Sequence, residues 1–239
     1  MSFISAEQLN KTYGNGDAAV TAISGITFSI EAGEFVSMMG ESGAGKSTLL
    51  SIMGAMNTPT RGYFRVDDID VYDLKSEKRA DFRREYLGFI FQSFHLVPYL
   101  TVLENVMLPL TTKRLKQREK EEMAEQALKW VGLAAKAGRL PNQISGGEKE
   151  RVAIARAIVN EPPVLLADEP TGNLDSRNSG EVMHLLQRLN EAGTTIIMVT
   201  HSADCARYAH RCIQIADGRL VDDRRTGNID SNNINVKAA

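Results

Sequence analysis

Residues 40–47 read Gly40-Glu41-Ser42-Gly43-Ala44-Gly45-Lys46-Ser47, a gapless G-x-x-x-x-G-K-[ST] pattern. The apolar run 35–39 before it predicts a strand, and 46–56 after it, through Thr48, predicts a helix. The glycines let the backbone curl so that successive N–H groups point at phosphate oxygens. The positive end of the helix adds to that field. In this geometry Lys46 reaches the β- and γ-phosphates of a nucleotide, and the Ser47 hydroxyl holds Mg²⁺. A Gly-rich turn with an accidental Lys-Ser arises in about one chain in a hundred of this length, and the flanking strand and helix make it rarer still.

A second chemical signal follows a short, fully apolar run at 164–167, the mark of a strand buried on both faces. Asp168 and Glu169 stand at its C-terminal end, where open α/β sheets collect ligands. Asp168 suits the Mg²⁺ shell, directly or through water, and Glu169 is placed to polarise an attacking water as general base. Alone, an Asp-Glu pair usually marks a strand-end turn; beside a phosphate loop it reads as catalytic. Further strands are expected at 3–9, 21–30, 62–66, 87–91 and 194–200, with a helix at 179–191. Segment 102–138 is rich in Glu, Lys, Leu and Ala at helical spacing, and 152–159 continues that texture. Asp217-Gly218 predicts a hairpin between 212–215 and 219–221. The strand–helix–strand rhythm predicts an α/β fold with a parallel sheet, interrupted by a helical insert at about 93–160.

The 239 residues suffice to bury a proper core, with 43% hydrophobic and 24% charged residues. A formal charge of −2 excludes nucleic-acid binding by sheer basicity. Cys205 and Cys212 have no metal-ligand spacing around them and are expected to be reduced. The start lacks a signal-peptide pattern, and no run approaches the roughly 20 apolar residues of a membrane span. The expectation is a soluble protein that meets a membrane only through a partner.

Around these two signals the chain resembles the nucleotide-binding subunit of an ATP-binding cassette (ABC) transporter, over roughly 3–224. Ser145-Gly146-Gly147-Glu148 resembles the family's signature and heads a predicted helix at 149–159. Gln92 follows the predicted strand 87–91 like the Q-loop Gln. Gly172-Asn173-Leu174-Asp175 resembles the D-loop, and His201 the switch His. Tyr13 either packs on the sheet or, as the resemblance implies, carries adenine. The resemblance implies a P-loop NTPase core (about 1–92 and 161–224) with a mostly parallel sheet and an N-terminal antiparallel β subdomain. The helical subdomain (93–160) carries the signature, and a tail at 225–239 is expected to be disordered. It implies ATP and Mg²⁺ as cofactors, with Gln92, Glu169 and His201 catalytic and Ser47, Gln92 and Asp168 about the metal.

It also implies a head-to-tail, ATP-dependent dimer in which Ser145, Gly146 and Gly147 of one copy cover the γ-phosphate held by the other, with Asp175 communicating across. Glu148 stands where most of the family has Gln; its carboxylate would repel phosphate unless it faces away or caps the helix. Glu169 is intact, which argues for hydrolysis. The apolar stretch 94–100 is either core of the helical insert or a groove for a permease's short helix. The words Phe89-Ile90-Phe91-Gln92-Ser93-Phe94 and Leu103-Glu104-Asn105-Val106 resemble the macrolide-export and lipoprotein-release subgroup. The expected role is the motor of a membrane permease at the cytoplasmic face of the inner membrane, without nucleic acid. A non-transport cassette usually has two cassettes per chain or coiled-coil insertions, and a phosphate-loop kinase has no need of the signature.

Overall fold

The computed structural model describes residues 2–225. The chain opens with β1 (Ile4–Tyr13), β2 (Val20–Ile30), β3 (Phe35–Met39), α1 (Lys46–Met53), β4 (Arg61–Val66) and β5 (Ile69–Asp70). There follow α2 (Ser76–Tyr86), β6 (Leu87–Phe91), α3 (Val102–Met107), α4 (Gln117–Trp130), α5 (Gly146–Ile158), β7 (Val164–Asp168) and α6 (Ser176–Glu191). The last elements are β8 (Thr195–Val199), α7 (Ala203–Ala206), β9 (Arg211–Ala216) and β10 (Arg219–Arg225). The expected tail begins at the end of β10; its remainder, 226–239, lies outside the described residues.

Two compact units share these elements. The first takes the chain up to Tyr72 and again from Ile197; the second is Asp73–Ile196. In the first, an antiparallel sheet runs β2-β1-β4-β5. Ile4, Ala6 and Leu9 of β1 turn inward and are buried, but they do not alternate strictly, because Gln8 takes a positive φ of 48° and the register against β2 shifts there. That bulge lets β1 run on to Tyr13, past the expected end at residue 9. A second set of strands runs β10-β9-β3, with the Ile197–Val199 end of β8 beside β3. β3 and β9 are parallel, while β9 and β10 form the expected hairpin through Asp217-Gly218.

In the second unit β6 and β7 pair in parallel, Leu87 opposite Val164 and Phe91 opposite Asp168. The first residues of β8 lie beside β7, and Thr195 N–H donates to the Pro163 carbonyl at 3.0 Å. Four residues of β7, Val164 to Ala167, are at most 1% exposed, as a strand covered on both faces requires. Helices surround this pair, with α5 packed on β6 and against α3 and α4. The helical texture of 102–138 resolves into α3, α4 and short 3₁₀ turns. Thr101 and Glu104 form a capping box that starts α3. Asn105, fully buried, donates to the carbonyls of Val97, Leu100 and Thr101 and accepts from Val97 N–H, so it ties the 97–101 loop to that helix. Tyr99 at the loop tip is 79% exposed.

Candidate functional site

The phosphate loop lies in the first unit, between β3 and α1. Gly45 occupies the N-cap of α1 at φ 96°, and no side chain caps that helix. A Cβ at Gly45 would sit 2.5 Å from the Ala22 carbonyl oxygen, so only glycine fits both the backbone angle and the space. Lys46 is buried, and its Nζ donates to the carbonyls of Gly40 at 2.6 Å and Glu41 at 2.8 Å. The side chain thus folds back across the loop and presents its ammonium to the loop's own concavity. Glu41, Ser42, Gly43 and Ser47 are exposed, Ala44 is buried, and Thr48 is half-buried. The first N–H groups of an uncapped helix and a buried ammonium facing one concavity make an anion receptor.

Two more expected residues belong to the same unit. Tyr13 ends β1, 44% exposed, with its hydroxyl accepting from Asn57 Nδ2 at 2.5 Å and the Lys11 ammonium 5.0 Å from its ring centroid. His201 lies two residues past the end of β8 and is exposed. Its neighbour Thr200 is fixed on both sides: the N–H donates to Met38 at 3.1 Å, and Oγ1 accepts from Ser202 N–H.

The second unit carries the rest. Asp168 ends β7 half-buried, and Glu169 turns away at a left-handed φ of 49°. A residue without glycine's freedom held there stores strain of about 1 kcal/mol or more, a cost that clusters at functional positions. Gln92 follows β6 and is exposed; Asn173 Nδ2 donates to its carbonyl at 2.7 Å. Phe94 and His95, next along, also have positive φ, 57° and 48°. Arg156, near the end of α5, holds both: Nη2 donates to the Phe94 carbonyl and Nη1 to that of His95, each at 2.6 Å.

The signature segment starts α5 with Ser145 as N-cap. Ser145 Oγ accepts from Glu148 N–H at 3.2 Å, and Ser145 N–H donates to Glu148 Oε2 at 2.8 Å, a complete capping box. Glu148 therefore caps the helix, as one of the two expected ways to avoid repelling phosphate. The Ser145 backbone bond holds its carboxyl below the ordinary range, and Lys136, 3.5 Å away, adds to that. Asp175 in turn caps α6, accepting from Asn178 N–H at 2.9 Å and from Asn178 Nδ2 at 2.7 Å, bonds that lower its pKa. Gly146 is exposed and Gly147 buried.

Comparison with known proteins decides the family. The ABC transporter family model matches residues 23–172. The chain belongs to the ABC transporter family. It is 44% identical over 222 residues to the uncharacterized ABC transporter ATP-binding protein YvrO of Bacillus subtilis, covering 93% of this chain and 97% of that one. It is 46% identical over 217 residues to the macrolide export ATP-binding/permease protein MacB of Chlorobium phaeobacteroides, covering 91% of this chain but 33% of MacB. A solved dimer of the ATP-binding cassette MJ0796, in a post-hydrolysis state with ADP and Pi, superposes with a TM-score of 0.86 at 41% identity, covering 93% of this chain and 98% of that one. As a cassette of this family, the chain is an ATPase with the α/β cassette fold, the motor part of a transporter.

Sequence reasoning did not single out Arg156, Asn178 or Asn57, nor the hydrogen bond from Asn173 to Gln92. Each acts on a partner 44 or more residues away or, for Asn178, on the start of another helix, and no spacing rule announces such contacts.

Proposed function

We propose that this ABC cassette binds Mg²⁺-ATP on the 40–48 loop, hydrolyses it, and drives an integral membrane permease of the macrolide-export or lipoprotein-release type. The observation that carries the ATP assignment is the uncapped start of α1 with Lys46 folded over the loop. Tyr13 is assigned to adenine. Ser47, Gln92 and Asp168 offer only hydroxyl, amide and carboxylate oxygens, the hard donors Mg²⁺ prefers. When bound, the ion offsets charge on the β- and γ-phosphates. Glu169 is the general base for the attacking water, with Gln92 and His201 completing the catalytic set. Ser145, Gly146, Gly147 and Asp175 act on the ATP held by a second copy in a head-to-tail dimer; the dimeric neighbour supports pairing of cassettes.

The MacB relatives join cassette and permease in one protein, which supports a permease partner for this chain. Among the described residues no helix is long and apolar enough to cross a membrane. The reading therefore puts the cassette at the cytoplasmic face of the inner membrane, held there by permease subunits and independent of nucleic acid. The test is light scattering of Glu169→Gln with ATP and Mg²⁺: the variant should dimerise, and Lys46→Ala should neither bind ATP nor dimerise. A Glu169→Gln protein that stays monomeric at saturating ATP refutes the mechanism.

A further inference from the structure

Helices α5 and α6 begin side by side, and one residue that neither motif includes touches both. Arg151 of α5 and Glu181 of α6 form a 2.7 Å ion pair one turn in from the helix starts. Nearer the starts, the space above Gly147 is filled by Asn178. A Cβ built on Gly147 would lie 2.2 Å from Asn178 Oδ1, 2.7 Å from its Cγ and 3.2 Å from its Cβ. The same amide donates through Nδ2 to Asp175 Oδ2 at 2.7 Å, while its backbone N–H donates to Oδ1 at 2.9 Å. Both carboxylate oxygens of Asp175 are thus set by Asn178, and the side chain that sets one of them rests on the signature's second glycine.

We propose that Asn178 is a positioning residue that couples the signature segment to Asp175 within one chain. Gly147 lacks a side chain partly because Asn178 occupies that space; a shift of α5's start relative to α6 moves the amide and with it the Asp175 carboxylate. The inference rests on the assignment of Ser145–Gly147 and Asp175 to the ATP site. It adds a link between them inside the subunit, so that closure of the signature on a nucleotide is felt at Asp175.

The steric contact gives a rescue test of the contact itself, and the split between kcat and KM in Asn178→Ala separates positioning of Asp175 from packing alone. Asn178→Ala removes the amide and leaves only the 3.2 Å Cβ contact, which a few tenths of an ångström relieve. Alone it should lower kcat for ATP hydrolysis about three- to tenfold, with KM for ATP unchanged, as expected for one lost solvent-exposed hydrogen bond that orients rather than binds. Gly147→Ala should lower kcat by more than about a hundredfold, and the double variant should recover at least about tenfold of that loss. ATP-driven dimerisation in the Glu169→Gln background should follow the same order. A double variant no more active than Gly147→Ala overturns the coupling while leaving the site assignment intact. Normal turnover in Gly147→Ala overturns the assignment itself, and the coupling with it.

Discussion

Glu150 gives the chain a pH dependence that can be worked from its surroundings. It lies in α5, fully buried, and neither carboxylate oxygen has a hydrogen-bond partner among the described residues. Burial pushes its pKa up from 4.5 to about 8, partly opposed by the charge of Arg156. In the unfolded chain the carboxyl ionises near its ordinary value, whereas in the fold it keeps its proton until about pH 8. Between those values the folded state binds more protons, so stability falls as pH rises, by about 1.4 kcal/mol per pH unit. Below the window the group contributes nothing pH-dependent. Above it the whole cost, about 5 kcal/mol, is in place, and at pH 7 it is about 3 kcal/mol. Glu150→Gln removes the ionisation but leaves a buried amide, whose cost does not vary with pH. The informative quantity is therefore the slope of the difference between the two proteins. Urea unfolding followed by the fluorescence of Trp130, the sole tryptophan and part of the same unit, should show the Gln variant gaining on the parent by about 1.4 kcal/mol per unit between about pH 5 and about pH 8. Parallel stability curves across that range would refute the reasoning.

Two further substitutions test how the backbone is held. Arg156→Ala strips two charge-assisted bonds from the left-handed Phe94–His95 pair and should cost about 2 kcal/mol while exposing the loop at Tyr99 to faster proteolysis; Arg156→Lys, a point charge without the planar fork, should not restore both, and full recovery of stability and protease resistance in that variant would count against the clamp. Gly45→Ala, forced to φ 96° with a Cβ 2.5 Å from the Ala22 carbonyl, should cost about 1–3 kcal/mol and weaken nucleotide binding at least about tenfold in a fluorescent-ATP titration, and an unchanged affinity would show that the loop's curl does not set the site.

Much of this was legible in the sequence wherever chemistry is local. The phosphate loop, the run 164–167 ending in Asp168 and Glu169, and the Asp217-Gly218 hairpin all lie where their patterns put them, because strand burial, a glycine turn and a helix start each depend on near neighbours. Errors arose where a boundary depends on a cap. The helix expected at 46–56 stops at Met53 because Gly54 closes it, and the one expected from 179 starts at Ser176 because Asp175 caps it. Helix α2 was not foreseen: Phe82 is its one buried residue, so no apolar stripe marks it. The clamp of Arg156 on the 94–95 carbonyls joins residues about sixty apart and follows from packing alone.

The caps also rank the two expected phosphate-binding helix starts. At α5 the Ser145–Glu148 box already satisfies an end donor and the Ser145 N–H, and it sets a carboxylate beside them. That start is content without a ligand, and the carboxylate makes it a poor trap for free anions. At α1 the cap is a glycine with no side chain to offer, and a buried lysine leans on two carbonyls of its own loop. Those carbonyls carry partial charge where a phosphate oxygen carries a full one, so an incoming nucleotide exchanges weak partners for strong ones. The proposed order of events follows from that inequality: ATP is taken first by the loop of one subunit, and the signature of another engages only a phosphate already fixed there. Ser145, Gly146 and Gly147 should then contribute to dimerisation and turnover while adding little to the affinity of an isolated subunit for ATP.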